Sequence, residues 1–528
     1  MLDKIRNNHY FRILALVALL LLLMKIDYRI SSFGNFNPTD DAGYMYHAYS
    51  IGLDFDLDYS NQIFTDTEIL NPGFYINEDS YIPKHPIGTG ILASPFVFLG
   101  YLFEKLNMYF EFSERDQIYF FYSMSSIFYF FMSILLLSKA INNSPKFKKV
   151  TPLLIFYLFL GSGIAYYSFE RFSMTHTYEV FSISLLFFIS YKNINGDKNQ
   201  QNFIVGLLSI LFLTIRWVNI FIIFIPFLYY LLIEKKESIK NLIKSKYYIS
   251  GLLVGVGTFL LHTKALYGVY TLNPKFVYRN NMSLGFLDYS GLDSYFGLDM
   301  IKLTFKSLGI IFFSTEFGLL FFSPILFFLG YSIIQLIIKK EIKIISMLVP
   351  ILGIPFAIVI LWQATGSAYG YRYLTCLIPV SIVLTYRLVD KNLLKILYGL
   401  NFISIYLFFK FETNELTSLQ QEVNTFGRLH NYSGKNYMQG VLEGALEVNT
   451  YLVFIMTSFF AVIFFKAVIS IFGLEIIEDL ISRYGYMNGD VKKFLDFTLD
   501  FSIIEISVII IFFYYFSMKL LSVSKVEI

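Results

Sequence analysis

The sequence predicts an all-α polytopic membrane protein, and three observations carry that expectation. Of 528 residues, 56% are hydrophobic and 19% aromatic, while only 15% are charged; an average soluble domain carries roughly 25% charge. The apolar residues fall in continuous blocks, and about 20 such residues cross a hydrocarbon core. The blocks do not alternate over segments of about ten residues, as a membrane β-barrel requires. Composition of this kind excludes a disordered chain. The single cysteine, Cys376, leaves no intramolecular disulfide framework and no Cys-based zinc site. A net charge of +3 over this length gives no reason to expect nucleic acid as a partner.

Taken in order, the candidate spans are 10–30, 116–138, 151–168, 176–191, 203–217, 218–233, 248–266, 312–338, 344–363, 372–388, 393–410, 450–470 and 501–521, or about 13 helices. The stretch 203–233 reads as a tight helical hairpin broken near Trp217-Val218-Asn219. The run 13–24 has the length of a signal-peptide core, but it lacks a clear A-x-A site and Lys25, Asp27 and Arg29 follow it. It is expected to be a retained first helix.

Orientation follows from charge. The segment 34–85 holds nine acids, Asp40, Asp41, Asp54, Asp56, Asp58, Asp66, Glu68, Glu78 and Asp79, against the lone Lys84. The loop 139–149 carries Lys139, Lys146, Lys148 and Lys149. Lys/Arg-rich loops lie in the cytoplasm. The apolar, Pro-flanked stretch 86–103 therefore lies flat in the outer interface, and 34–113 forms one large external loop. The N-terminus is then cytoplasmic and the C-terminus outside. Two further external loops are 267–306 and 411–449, and 472–500 reads as a cytoplasmic amphipathic segment.

Several motifs fall at the extracytoplasmic face under this orientation. Asn37-Pro38-Thr39-Asp40-Asp41-Ala42-Gly43-Tyr44 places two adjacent carboxylates beside the first helix. They serve as helix caps, or one of them is a general base facing an acceptor hydroxyl, and the two roles are compatible. Asp54-Phe55-Asp56-Leu57-Asp58, if extended, puts its acids on one face and Phe55 and Leu57 on the other. It is not an EF-hand, since Tyr59 stands where that loop needs Gly and Thr65 where it needs Glu. Asp54 and Asp56 are the candidates if a divalent ion is held at all; a solvated loop with buried aromatics is the plainer account.

Pro83-Lys84-His85-Pro86 opens the flat helix, with Lys84 placed for a lipid phosphate or simply neutralising nearby acids. Glu170-Arg171-Phe172-Ser173-Met174-Thr175-His176-Thr177-Tyr178-Glu179 is a short external turn clustering Glu170, Arg171, His176 and Glu179. Arg216-Trp217 and the run Gly366-Ser367-Ala368-Tyr369-Gly370-Tyr371-Arg372-Tyr373 add cations at helix ends. Ionisable groups within or at the ends of spans are functional candidates by default. A guanidinium such as Arg372 grips phosphate through paired donors. The combination suggests acids for an acceptor and cations for an anionic lipid head.

These segments resemble the GT-C glycosyltransferases that use polyprenyl-phosphate-linked sugars, among them the protein O-mannosyltransferases and the lipid A aminoarabinose transferases. TDDAGYMYHAYSI…DFDLDYSNQ (39–62) resembles the acidic first loop of bacterial members, and KHPIGTGILASPF (84–96) their flat helix. ERFSMTHTYEVF (170–181), RWVN (216–219), FGLLFFSP (317–324) and GSAYGYRYL (366–374) resemble later landmarks in the same order. The resemblance covers about 35–390. It implies a catalytic membrane module over 1–390, with interfacial helices in the loop 34–113. The helices of 391–528, with the loop 411–449, would carry acceptor-specific parts.

The resemblance further implies a multi-pass plasma (inner) membrane enzyme, moving a hexosyl or pentosyl group from a polyprenyl-phosphate sugar to a glycan, lipid or protein acceptor. A first-loop aspartate is the base: Asp41 by preference, with Asp40 and Asp56 as the other catalytic candidates. Lys84, His85, Arg171 and Arg372 would bind the donor phosphate. His176, Glu179, Arg216 and Tyr44 would contact substrate. Some members need a divalent cation and others do not, so a divalent cation stays open as a cofactor. A single displacement through an oxocarbenium-like transition state would invert the anomeric centre. Two other classes fit a chain of many helices: a lipid-linked oligosaccharide flippase or transporter, and an O-antigen polymerase or ligase. A transporter predicts paired broken helices and mid-membrane charges, and a polymerase or ligase a basic late loop, which 411–449 is not.

Overall fold

Helical propensity and apolar blocks translate into a structure that is 82% helical over the residues described. The computed structural model describes 40–62, 74–77, 80–106, 117–169, 171–195, 198–272, 298–313, 318–361 and 371–410. All of these belong to one unit, Ile26–Ser433; a second unit, Met1–Lys25 with Gly434–Ile528, lies outside them. The expected spans 10–30, 450–470 and 501–521, the segment 472–500 and the loop 411–449 also lie outside the described residues.

The described chain begins with α1 (Asp40–Tyr49), which runs into a π-helical turn, Ser50–Asp54. A hairpin, β1 (Phe74–Asn77) and β2 (Ser80–Pro83), pairs Phe74 with Pro83 and Asn77 with Ser80. The helix α2 (Gly88–Lys105) follows. It crosses α1 at a point only glycine permits: a Cβ on Gly90 would stand 2.3 Å from His47 Cβ. Gly52 likewise lies against the Ser94 carbonyl. His47 pins the crossing. Its Nε2–H donates to the His85 carbonyl at 2.8 Å, so Nδ1 accepts from the Tyr59 hydroxyl at 2.7 Å. Burial holds this ring neutral, its pKa lowered to about 3.

Three helices are long and apolar enough to cross a membrane among the described residues: Ile118–Asn142, Lys246–Tyr267 and Ile342–Ile360. The first belongs to α3 (Gln117–Asn142), whose apolar window is 72% buried, so it is a central helix. The other two are only 28% buried and present Leu253, Leu261 and Val349 outward. An apolar surface of this extent is a liability in water and is solvated in lipid, as expected of a membrane protein. The flat-lying candidate α2 is not among the three.

Other expected spans are interrupted. The block 151–168 divides into α4 (Pro152–Leu160) and α5 (Ile164–Phe169). Between them Gly161 sits so close to Asn401 that a Cβ would clash at 2.3 Å. After α6 (His176–Asn195) and α7 (Lys198–Leu211), the chain forms 3₁₀ turns at Phe212–Thr214 and Trp217–Phe224 before α8 (Ile225–Leu232). The expected break near Trp217 falls at extended Arg216 (φ −158°) and at Asn219, whose ψ of 23° is non-helical. After α9 (Lys236–Lys244), α10 (Lys246–Tyr267) and α11 (Leu298–Phe313), Ser323-Pro324 separates α12 (Leu319–Phe322) from α13 (Pro324–Ile338). Proline is tolerated at the first position of a new helix. α14 (Ile342–Leu361), a 3₁₀ segment (Arg372–Leu377), α15 (Ile378–Leu388) and α16 (Lys391–Lys410) complete the described chain.

The α7/α10 pair packs backbone to backbone. Cβ atoms on Gly206 and Gly251 would stand 2.3 Å from the Tyr248 carbonyl and 2.2 Å from the Phe203 carbonyl. Gly251-Leu252-Leu253-Val254-Gly255 is the small-xxx-small spacing by which membrane helices approach closely. Gly251→Leu is expected to force the pair apart and destabilise the protein by about 1–3 kcal/mol, read as a lower unfolding temperature in detergent.

Candidate active site

The turn between α5 and α6 supplies the centre of the site. Asp41, buried in the first turn of α1, receives Arg171 Nε at 2.9 Å and Nη2 at 2.7 Å on Oδ2, and the Ser173 hydroxyl on Oδ1. Of about four lone-pair positions on a carboxylate, these three donors leave one, on Oδ1. Arg171 is thus the counter-ion of Asp41 in this structure, whereas the sequence placed it with the donor phosphate. Asp40 opens α1, and its side chain lies outside the described residues, as does Glu170.

A second carboxylate, Glu179, is fully buried one turn into α6. It accepts from Asn219 Nδ2 at 2.7 Å and from Arg216 Nη1 at 3.3 Å, and it lies 2.8 Å from His176 Nδ1. The non-helical turn at Asn219 aims its amide at this acid. Arg216 stacks 4.5 Å above the Tyr373 ring, and Arg372 lies 4.9 Å from the same ring with Nη2 donating to its hydroxyl at 3.0 Å. The His176 ring sits 4.3 Å from that of Tyr167, and Arg171 and Arg372 both act electrostatically on Tyr167. Tyrosines 167 and 373 thereby connect the Asp41 pair to the Glu179 cluster.

The start of α2 docks onto this array. Thr89 Oγ1 donates to Thr175 Oγ1 at 3.1 Å, and Thr175 in turn donates to the Ile215 carbonyl at 3.0 Å. Gly88 lies against Thr214 and Ile215 without room for a Cβ. The His85 ring packs 4.8 Å from Tyr44 and fills the space beside Gly43. Tyr44 also acts on the charge of Arg216. Lys84 is buried beside these residues in sequence, and burial lowers its pKa from the ordinary 10.5 to about 8.

The structure therefore brings Asp41, Tyr44, His85, Arg171, His176, Glu179, Arg216 and Arg372 into one neighbourhood. Asp54 and Asp56 stand apart from it. The expected extended strip does not form: Phe55 takes a left-handed conformation (φ 58°), reversing the chain after Asp54. Phe55 is 75% exposed instead of buried. Asp54 Oδ2 accepts from Asn61 at 3.0 Å and from Gln62; Asp56 Oδ1 accepts from Ser50 Oγ and the Asp58 amide, both at 3.1 Å. Their lone pairs close the local turn. Among the described residues no group of three His, Cys, Asp or Glu could hold a metal ion.

Ser173, Asn219, Tyr167 and Tyr373 are site residues that sequence reasoning did not single out. The first two stand within three positions of a flagged arginine, and Tyr373 adjoins Arg372, so adjacency was their only signal; Tyr167 had none. No protein-family model matches this chain, and neither a curated protein nor a solved structure matches it.

Proposed function

We propose that this protein is a polyprenyl-phosphate-dependent glycosyltransferase of GT-C type, with its active site on the extracytoplasmic side of the membrane. One observation carries the reading most: two buried carboxylates and the cations Arg171, Arg216 and Arg372 share one connected cluster inside an apolar helical unit. Charges this costly to bury are retained where they act. In the proposed reaction Asp41, oriented by Arg171 and Ser173, takes the acceptor hydroxyl proton on the open position of Oδ1. The hydroxyl attacks the anomeric carbon in a single inverting displacement. Polyprenyl phosphate leaves, and Lys84 and Arg372 stabilise its charge, each good contact being worth about 2–4 kcal/mol. Arg387, in the last turn of α15, lies 3.8 Å from Glu234 and 3.8 Å from Glu341, at the opposite end of the continuous segment Arg372–Leu388 from Arg372. On the positive-inside rule the lysines gathered at this end, Lys146 and Lys148, would face the cytoplasm, and the site the other side.

The breaks at Gly161, Asn219 and Ser323 favour a second reading, a transporter of lipid-linked sugars. Purified protein incubated with a radiolabelled polyprenyl-phosphate sugar and membrane-derived acceptors separates the two. The transferase releases polyprenyl phosphate and labels the acceptor; a transporter leaves the donor intact.

The reading also fixes a pH dependence. With Lys84 lowered to about 8, binding of polyprenyl phosphate is expected to be full below that pH and to weaken above it as the ammonium is lost. Stability takes the opposite sign. Between about 8 and 10.5 the unfolded chain holds a proton that the folded chain has released, so this group favours folding as pH rises. Equilibrium binding measured across about pH 6–10 checks this, and Lys84→Arg, charged throughout, is expected to flatten the limb.

A further inference from the structure

One buried atom of the cluster, Nε2 of His176, has no part in the proposed proton transfer or phosphate binding. A carboxylate only accepts, so the 2.8 Å contact with Glu179 fixes the proton on Nδ1. Nε2 of the neutral ring therefore carries a lone pair. The residue is 1% exposed, and this nitrogen has no hydrogen-bond partner among the described residues. A buried acceptor left unmet is expensive, and here an expensive arrangement is maintained by several groups. Glu179 holds the ring, and Asn219 and Arg216 hold Glu179. Tyr167 packs on the imidazole at 4.3 Å. Arg216 and Arg372 both lie close enough to act on its charge. The lone pair is thus set beside the cations that would receive a phosphate, and it asks for a donor. An ionised phosphate oxygen offers no hydrogen to it. A sugar hydroxyl does.

Resting on the glycosyl-transfer reading, we infer that His176 Nε2 accepts a hydrogen bond from a hydroxyl of the transferred sugar, so that the Glu179–His176 pair distinguishes a sugar-bearing lipid phosphate from the bare one. Glu179 is then a positioning residue, fixing the tautomer, and Arg216 and Asn219 act through it.

The test compares two ligands on the purified full chain: polyprenyl phosphate, and polyprenyl phosphate bearing glucose or mannose. Wild-type protein is expected to bind a sugar-bearing lipid more tightly than the bare lipid. His176→Phe is expected to weaken binding of the sugar-bearing lipid about tenfold, the scale of a lost hydrogen bond, with bare-lipid affinity changed less than twofold. His176→Gln, whose amide oxygen reaches the same position, is expected to recover part of the preference. Bare-lipid binding reports that each variant is folded. Equal loss for both lipids, or a preference that survives His176→Phe, overturns the assignment while leaving the transferase reading intact. Wild-type protein that binds neither lipid sinks that reading and this inference with it.

Discussion

Asp41→Asn is expected to lower glycosyl transfer by about 10²–10⁴-fold, the usual contribution of a positioned base, and to lower stability as well. The second effect follows from Arg171. Its side chain is 19% exposed, and its Nε and Nη2 both bond Asp41 Oδ2. An amide removes the charge but keeps the shape, so a largely buried cation loses the carboxylate it faces; breaking such a pair costs about 3–5 kcal/mol when fully buried. The two effects separate in the double variant Asp41→Asn/Arg171→Met. Removing both charges is expected to restore most of the unfolding temperature in detergent, because an apolar replacement of an ion pair is often neutral or better. Transfer is expected to stay lost. A double variant that regains transfer would move the base elsewhere, with Asp40 the next position to test.

Glu179→Ala is expected to be the most destabilising single change in the site. The acid is fully buried, and Arg216, Asn219 and His176 all converge on it. Truncation strands one cation and two polar groups together, a loss of about 3–5 kcal/mol from the ion pair alone. Glu179→Gln keeps the volume and an acceptor for Asn219, so it is expected to fall between Ala and wild type. Thermal unfolding of the three proteins in one detergent gives the order directly. An Ala variant as stable as wild type would mean that Arg216 finds another partner, with Tyr373 as the nearest candidate.

Much of this architecture was legible in the sequence because lipid imposes a simple rule: continuous apolar blocks must be helices. Sequence reasoning also collected Asp41, Arg171, His176, Glu179, Arg216 and Arg372 by their common sidedness. It did not pair them, since Asp41 and Arg171 are 130 residues apart and only the packed helices decide which arginine meets which acid. The strip Asp54–Asp58 was misread by assuming alternation. Ser50 draws the chain into a turn instead, and the acids are spent on it. The hairpin Phe74–Pro83 was missed because β-formers flank Glu78-Asp79 within a segment treated as acidic loop. Gly161 and Ser323-Pro324 were visible as breakers, yet mean hydropathy over a window of about 19 residues runs straight across them.

The pairing of Asp41 with Arg171 also bears on how the chain is made. Ribosomes add about 5–20 residues per second, so an acid synthesised 130 positions ahead of its guanidinium waits on the order of ten seconds for it. Glu179, by contrast, precedes Arg216 by only 37 positions. During its wait the aspartate must remain hydrated, which keeps the first turn of α1 in contact with water until the segment carrying Arg171 and Ser173 arrives to enclose it.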